Sequence, residues 1–185
     1  AALGYVALHR GDEVRAWAAG GEARHPLPPL RGRDGWPRLL RWLAACQPAG
    51  RCLLDEVLAA VARTAPRGRV VIVSDLLGPA DWLGRVGELQ ARGMDPALIQ
   101  VLAPEELDPP LEGALRLVDS ETGEHLDLWI DPPLLARYRD RLARWQDELR
   151  RACRARGALL VSLRSDMSLA EAVLLRLRAE GLVRS

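Results

Sequence analysis

The sequence predicts a single α/β domain over residues 1–185, a doubly wound and mainly parallel sheet with helices on both faces. Three observations lead there. Arg69-Val70-Val71-Ile72-Val73-Ser74-Asp75 is a compact, β-branched run of the kind found in parallel strands buried on both sides. Around it, apolar residues recur at three- and four-residue spacing, so strand and helix alternate along the chain. With 185 residues and 49% hydrophobic content, the chain fits one core and does not comfortably fit two.

Composition narrows the function classes. A charged fraction of 28% and a formal net charge of +1 disfavour disorder, collagen-like repeats and a polybasic nucleic-acid arm. All 26 basic residues are arginine, and phenylalanine is absent, the stamp of a GC-rich coding bias. Cys46, Cys52 and Cys153 share no repeating spacing, so neither a disulfide framework nor a four-ligand zinc site is indicated. A reducing, cytoplasmic setting is expected. No apolar run approaches the ~20 residues that span a bilayer, and no signal peptide opens the chain. The first residue is Ala, from which a fragment or processed product is expected.

In order, Ala1 to His9 reads as a helix ended by Gly11-Asp12. Residues 13–18 and 22–27 flank Gly20-Gly21, whose tolerance of positive φ suits a tight hairpin at a sheet edge. Pro26, Pro28 and Pro29, which cannot donate ladder hydrogen bonds, are expected to close the second strand into a loop. Trp36, Leu39, Leu40 and Leu43 mark a helix with Asp34 as N-cap, and Leu53, Leu54, Val57, Leu58 and Val61 mark another. After the strand at 69–75 comes a helix from Pro79 to Arg92, then a strand from Met94 to Leu102, weakened at its start by Pro96. Residues 114–119 and 125–130 alternate in polarity around Glu121-Thr122-Gly123 and predict an inserted, protruding hairpin near 114–130. Pro132-Pro133 opens a long amphipathic helix with Leu134, Leu135, Tyr138, Leu142, Trp145, Leu149 and Ala152 on one face. Its other face pairs Asp140 with Arg144 and Asp147 with Arg151. Ala158 to Leu163 is a last core strand, and Ser168 with Glu171 forms a capping box for a last helix.

Three stretches together resemble a known family: Val71-Ile72-Val73-Ser74-Asp75-Leu76-Leu77, Val101-Leu102-Ala103-Pro104-Glu105-Glu106-Leu107, and Leu115 through Asp119-Ser120-Glu121-Thr122-Gly123-Glu124. The string Glu106-Leu-Asp-Pro-Pro-Leu-Glu-Gly113 and the arginine-rich helix ending at Cys153-Arg154-Ala155-Arg156 extend the match over nearly the whole chain. The sequence is similar to the bacterial domain-of-unknown-function family numbered fifty-eight, whose members resemble von Willebrand factor type A domains. That resemblance implies a metal-ion-dependent adhesion site at the carboxyl ends of the strands, where open α/β sheets bind ligands. It also implies a partner among the MoxR-class AAA+ ATPases, with this chain as a non-catalytic adaptor.

Residue by residue, Asp75 matches the adhesion site's third-loop aspartate, and the second-loop threonine position falls at Cys52, a soft thiol ill suited to Mg²⁺. The Asp-x-Ser-x-Ser loop has no counterpart. The resemblance therefore implies a degenerate site in a domain lacking its first strand, with Asp75 as its one metal-type residue, no resident cofactor, and Mg²⁺ possible only if an upstream segment completes the set. That strand is normally central, so its loss should leave unpaired edges or force the strands at 13–18 and 69–75 together. The partner-binding residues expected are Asp75, Ser74, Cys52, Arg51 and Gly78.

Other candidates read as structural. Asp166-Met167-Ser168 imitates the acidic-serine loop but lacks its second Ser. His9, His25 and His125 share no ligand spacing, and acids interleave the arginines of 137–156, which suggests a solvated face. Trp42 and Trp129 fall off the apolar stripe, and an exposed Trp would suggest a protein interface. The alternative reading is a small hydrolase or phosphoryl-transfer enzyme using Asp75 at the sheet's crevice. A second carboxylate or a His bonded to Asp75 would favour it.

Overall fold

In the computed structural model, described over residues 1–18, 26–47, 54–78, 82–119, 122–179 and 182, the β-branched run becomes β3 (Arg69–Ser74). It lies parallel to β4 (Asp95–Leu102), which lies parallel to β7 (Leu159–Arg164). The chain is a mixed α/β protein built on this parallel sheet.

Strand alternation sends side chains to two cores. Val70, Ile72, Leu98 and Leu160 face the larger one. There they meet Leu58, Val61 and Ala62 of α3 (Leu54–Thr64), Trp82, Val86 and Leu89 of α4 (Trp82–Ala91), and Leu149 and Cys153 of α6 (Pro132–Ala155). The odd-numbered residues Val71, Ile99, Val101 and Val161 face the other way. They pack with Leu3 of α1 (Ala2–His9) and with Val173 and Leu177 of a π-helix, Glu171–Leu177. Helices thus cover both faces.

The fully buried strand is β4, not β3. Residues Pro96 to Gln100 of β4 are all buried, whereas β3 pairs on one side only among the described residues, and its Val73 is 64% exposed. Sequence patterning reads the run at 69–75 as buried on both faces because a β-branched run looks alike wherever it lies. Pro96 sits near the start of a central strand and weakens nothing visible, since its register with Val70 is kept.

The predicted first hairpin is displaced. β1 (Val14–Ala16) pairs antiparallel with β2 (Leu27–Leu30), so the second strand runs through Pro28 and Pro29 instead of ending before them. Both prolines are exposed in this two-stranded sheet, and a register shift accompanies them. The predicted Gly20-Gly21 turn lies outside the described residues. Leu27 and Leu30 join Leu8 and Leu39 in a third core, against α2 (Trp36–Ala45). Gly4 lies where α1 meets α2: a Cβ there would overlap Leu39 Cδ2. Asp34 sits in a short 3₁₀ turn, Arg33–Gly35, and does not cap α2, and of the predicted stripe only Leu39 is buried while Leu40 and Leu43 are exposed.

Among the described residues β1 and β3 are not paired, and each belongs to a separate sheet. One short helix serves both: Leu8 of α1 packs with β2, and Leu3 of α1 packs with Val71's side of the parallel sheet.

After α5 (Pro104–Leu107), the inserted hairpin forms as predicted, β5 (Gly113–Val118) against β6 (His125–Ile130), with Gly123 at φ +74° in its turn. Asp131 Oδ1 accepts the Leu134 N–H at 2.8 Å and starts α6 behind Pro132-Pro133. On α6, Asp147 pairs with Arg150 rather than the predicted Arg151.

Candidate functional site

The three strands all run the same way, so Ser74, Gln100 and Ser162 stand side by side near their carboxyl ends, in register. Gln100 is 1% exposed, and burying an amide requires partners for both of its ends. It finds them: Nε2 donates to the Asp75 carbonyl at 3.1 Å, and Oε1 accepts from Ser162 Oγ at 3.1 Å. This polar rung ties the loop after β3 to the far strand β7.

Beyond the rung the chain turns sharply. Leu76 has φ +62°, the one positive φ among the described non-glycine residues, and its side chain is buried in the main core. Side chains of its neighbours hold the turn: Leu76 N–H donates to Ser74 Oγ at 3.1 Å, and Leu77 N–H donates to Asp75 Oδ1 at 3.1 Å. Ser74 Oγ approaches the same Oδ1 at 3.4 Å. Burying Leu76 forces Asp75 and Leu77 outward, and both are exposed beside Gly78. Asp75 therefore offers Oδ2 to solvent at the rim of the sheet.

Of the predicted site residues, Ser74, Asp75 and Gly78 are brought together, while Arg51 and Cys52 lie outside the described residues. No second carboxylate and no His bonds to Asp75 among the described residues, and none of their His, Cys, Asp and Glu side chains form a group of three able to hold a metal. Mg²⁺ favours about six oxygen ligands. One carboxylate and one hydroxyl do not make that set, so the described residues do not fit the ion.

The imitation loop is accounted for structurally. Arg164 pairs with Asp166 at 2.6 Å, which holds the Asp166 carboxyl below its ordinary range, and Ser168 Oγ accepts the Glu171 N–H at 3.1 Å. His9 bonds the Tyr5 carbonyl through Nδ1 and stacks on its ring, and His125 is exposed on the hairpin; His25 lies outside the described residues. Trp42 is half-buried against the small core, whereas Trp129 is 71% exposed. Trp82 Nε1 is buried in the main core with no partner among the described residues.

Gln100, Ser162 and Leu76 were missed by sequence reasoning. The signal for the first two is a lone polar residue inside an aliphatic strand, Ile99-Gln100-Val101 and Val161-Ser162-Leu163. Nothing in the residue type announces a left-handed leucine.

Comparison with known proteins places the chain in a family. Residues 1–149 match the profile described as "Protein of unknown function DUF58", and the chain belongs to that family. It is 31% identical over 170 residues to an uncharacterised protein of Mycobacterium bovis, covering 90% of this chain and 53% of the relative, and equally to one of Mycobacterium tuberculosis. An uncharacterised protein of Mycobacterium avium is 32% identical over 144 residues, covering 76% of this chain and 85% of its own. The chain spans about half the length of the first two relatives. No solved structure matches significantly. Among the described residues no helix is long and apolar enough to cross a membrane.

Proposed function

We propose that the chain is a non-catalytic protein-interaction module of the von Willebrand factor type A kind, working as an adaptor with a MoxR-class AAA+ ATPase. The surface used is the carboxyl rim of the parallel sheet around Ser74, Asp75 and Gly78; the resemblance adds Arg51 and Cys52, which lie outside the described residues. One observation carries this reading: Asp75 is exposed at the rim with Oδ1 tied to its own turn, and among the described residues no acid or His from another element bonds it. A carboxylate held that way can accept a partner's N–H or guanidinium, and the described residues do not give it the base or acid that hydrolysis needs.

The type A arrangement is in keeping with β1 and β3 each pairing on one side only among the described residues, since the resemblance implies a strand between them.

The alternative, a hydrolase or phosphoryl-transfer enzyme using Asp75, draws on Leu76, because strained backbone is enriched at reactive sites. It requires a second reactive group that the described residues do not supply. Titrating the chain against a purified MoxR-class ATPase separates the readings. Affinity that falls at least tenfold in Asp75→Ala supports the module; no binding, or ester or phosphate-ester hydrolysis lost in Asp75→Ala, overturns it.

A further inference from the structure

On one face of the hairpin burial falls from base to tip: Ile130 is buried, Leu115 and Leu128 are half-buried, and Leu117 and Leu126 are 38% and 58% exposed. On the other face Trp129 and Val118 are 71% and 63% exposed. The cross-strand pairs Leu115–Leu128 and Leu117–Leu126 place four leucines on one face, and nothing described covers the outer pair. A two-stranded ribbon is marginal by itself, so an apolar face of this sort gains from being covered. The ribbon together with the segment that leads into it is also acidic. Residues 104–127 hold eight Asp and Glu against one Arg, a formal −7 in a chain of net +1, so the remainder is strongly basic. Glu112 and Glu124, at its base and tip, are exposed and bear no ion pair among the described residues.

The complementary surface is on α6. Arg137, Arg141 and Arg144 recur at four- and three-residue spacing, which puts them on one helical stripe, and Arg151, seven residues on, continues it past the exposed Glu148. All four are exposed, and none is ion-paired among the described residues. The exposed Tyr138 borders this stripe. Lengths agree as well: Arg137 to Arg151 spans about 21 Å of helix, and six strand residues span about 20 Å.

We propose that the hairpin of one copy lies along the arginine stripe of α6 in a second copy, reciprocally, so that a two-fold dimer closes. Two arms exchanged in this way contribute two apolar and two charge-complementary contacts, where one alone would be too small for a stable interface. This is independent of the rim around Asp75.

Sedimentation of the whole 185-residue chain tests it. A dimer is expected at about 50 mM salt, weakening at least tenfold by about 500 mM as screening rises. Glu112→Arg/Glu124→Arg and Arg141→Glu/Arg144→Glu should each be monomeric where the parent is dimeric. Mixed in equal amounts, they should dimerise again, because each arm then meets a helix of opposite charge. All four positions are exposed, and unchanged circular dichroism confirms the fold. A parent that stays monomeric, a dimer indifferent to either reversal, or a mixture that fails to restore it overturns the proposal.

Discussion

Gln100 and Ser162 meet across the carboxyl end of the sheet, Ser162 Oγ donating to Gln100 Oε1 at 3.1 Å while the Gln100 amide nitrogen donates to the Asp75 carbonyl. A core strand thereby positions the candidate site through a single buried side chain. Gln100→Ala strands the Ser162 hydroxyl and the Asp75 carbonyl, and should cost about 2–4 kcal/mol in urea unfolding. Ser162→Ala should cost about 1 kcal/mol, and the double variant less than the sum, because the two residues share one bond.

Leu76 should invert the usual order of substitution. Both Leu76→Ala and Leu76→Gly empty a buried site, at about 2–5 kcal/mol. Glycine adopts φ +62° without steric cost, so Leu76→Gly should be the milder variant by about 1 kcal/mol. Equal losses, or a milder alanine, would show that the backbone strain is not there.

These two residues mark where sequence reasoning stops. The parallel strands, the inserted hairpin and the long helix were legible because period-two and period-3.6 patterns are set by residues a few positions apart. Which β-branched strand is central was not: Val70-Val71-Ile72-Val73 would suit a buried strand, and only the sheet order puts Val73 at an open edge. Pro28 and Pro29 misled for a related reason, since a proline stops a ladder only on the side where a donor is needed. Asp75 was legible as the residue closing a strand, but its neighbours Gln100 and Ser162 come from strands 25 and 62 positions distant along the chain from Asp75 and from Gln100 respectively.

Arg116 and Asp127 form a two-pronged pair on the exposed hairpin, at 2.7 and 2.9 Å, and hold the Asp127 carboxyl below its ordinary range. A lowered folded pKa adds stability that is present above the unfolded pKa and lost as pH falls through the folded value. Hairpin order should accordingly be insensitive to pH near neutrality and decline only in acid, below the usual carboxylate range. NMR titration of Asp127 should give a midpoint below that of a free aspartate, restored by Arg116→Ala. A normal midpoint in the parent would contradict the pairing.

Cys153 and Cys46 should differ in reactivity. Burial raises the Cys153 thiol, so less thiolate is present at mildly alkaline pH, and its sulfur is screened within the main core. Cys46 is only half-buried, its Sγ donating to the Trp42 carbonyl. Iodoacetamide followed by peptide mapping should modify Cys46 at least tenfold faster in the native protein, with the difference vanishing in urea.

Hydrogen–deuterium exchange of the chain with and without a purified MoxR-class ATPase tests the central claim most directly. The account expects new protection concentrated at 74–78, where the Ser74–Asp75 turn meets the rim, and its loss in Asp75→Ala. Protection confined to other segments, or protection at 74–78 that survives Asp75→Ala unchanged, would contradict it.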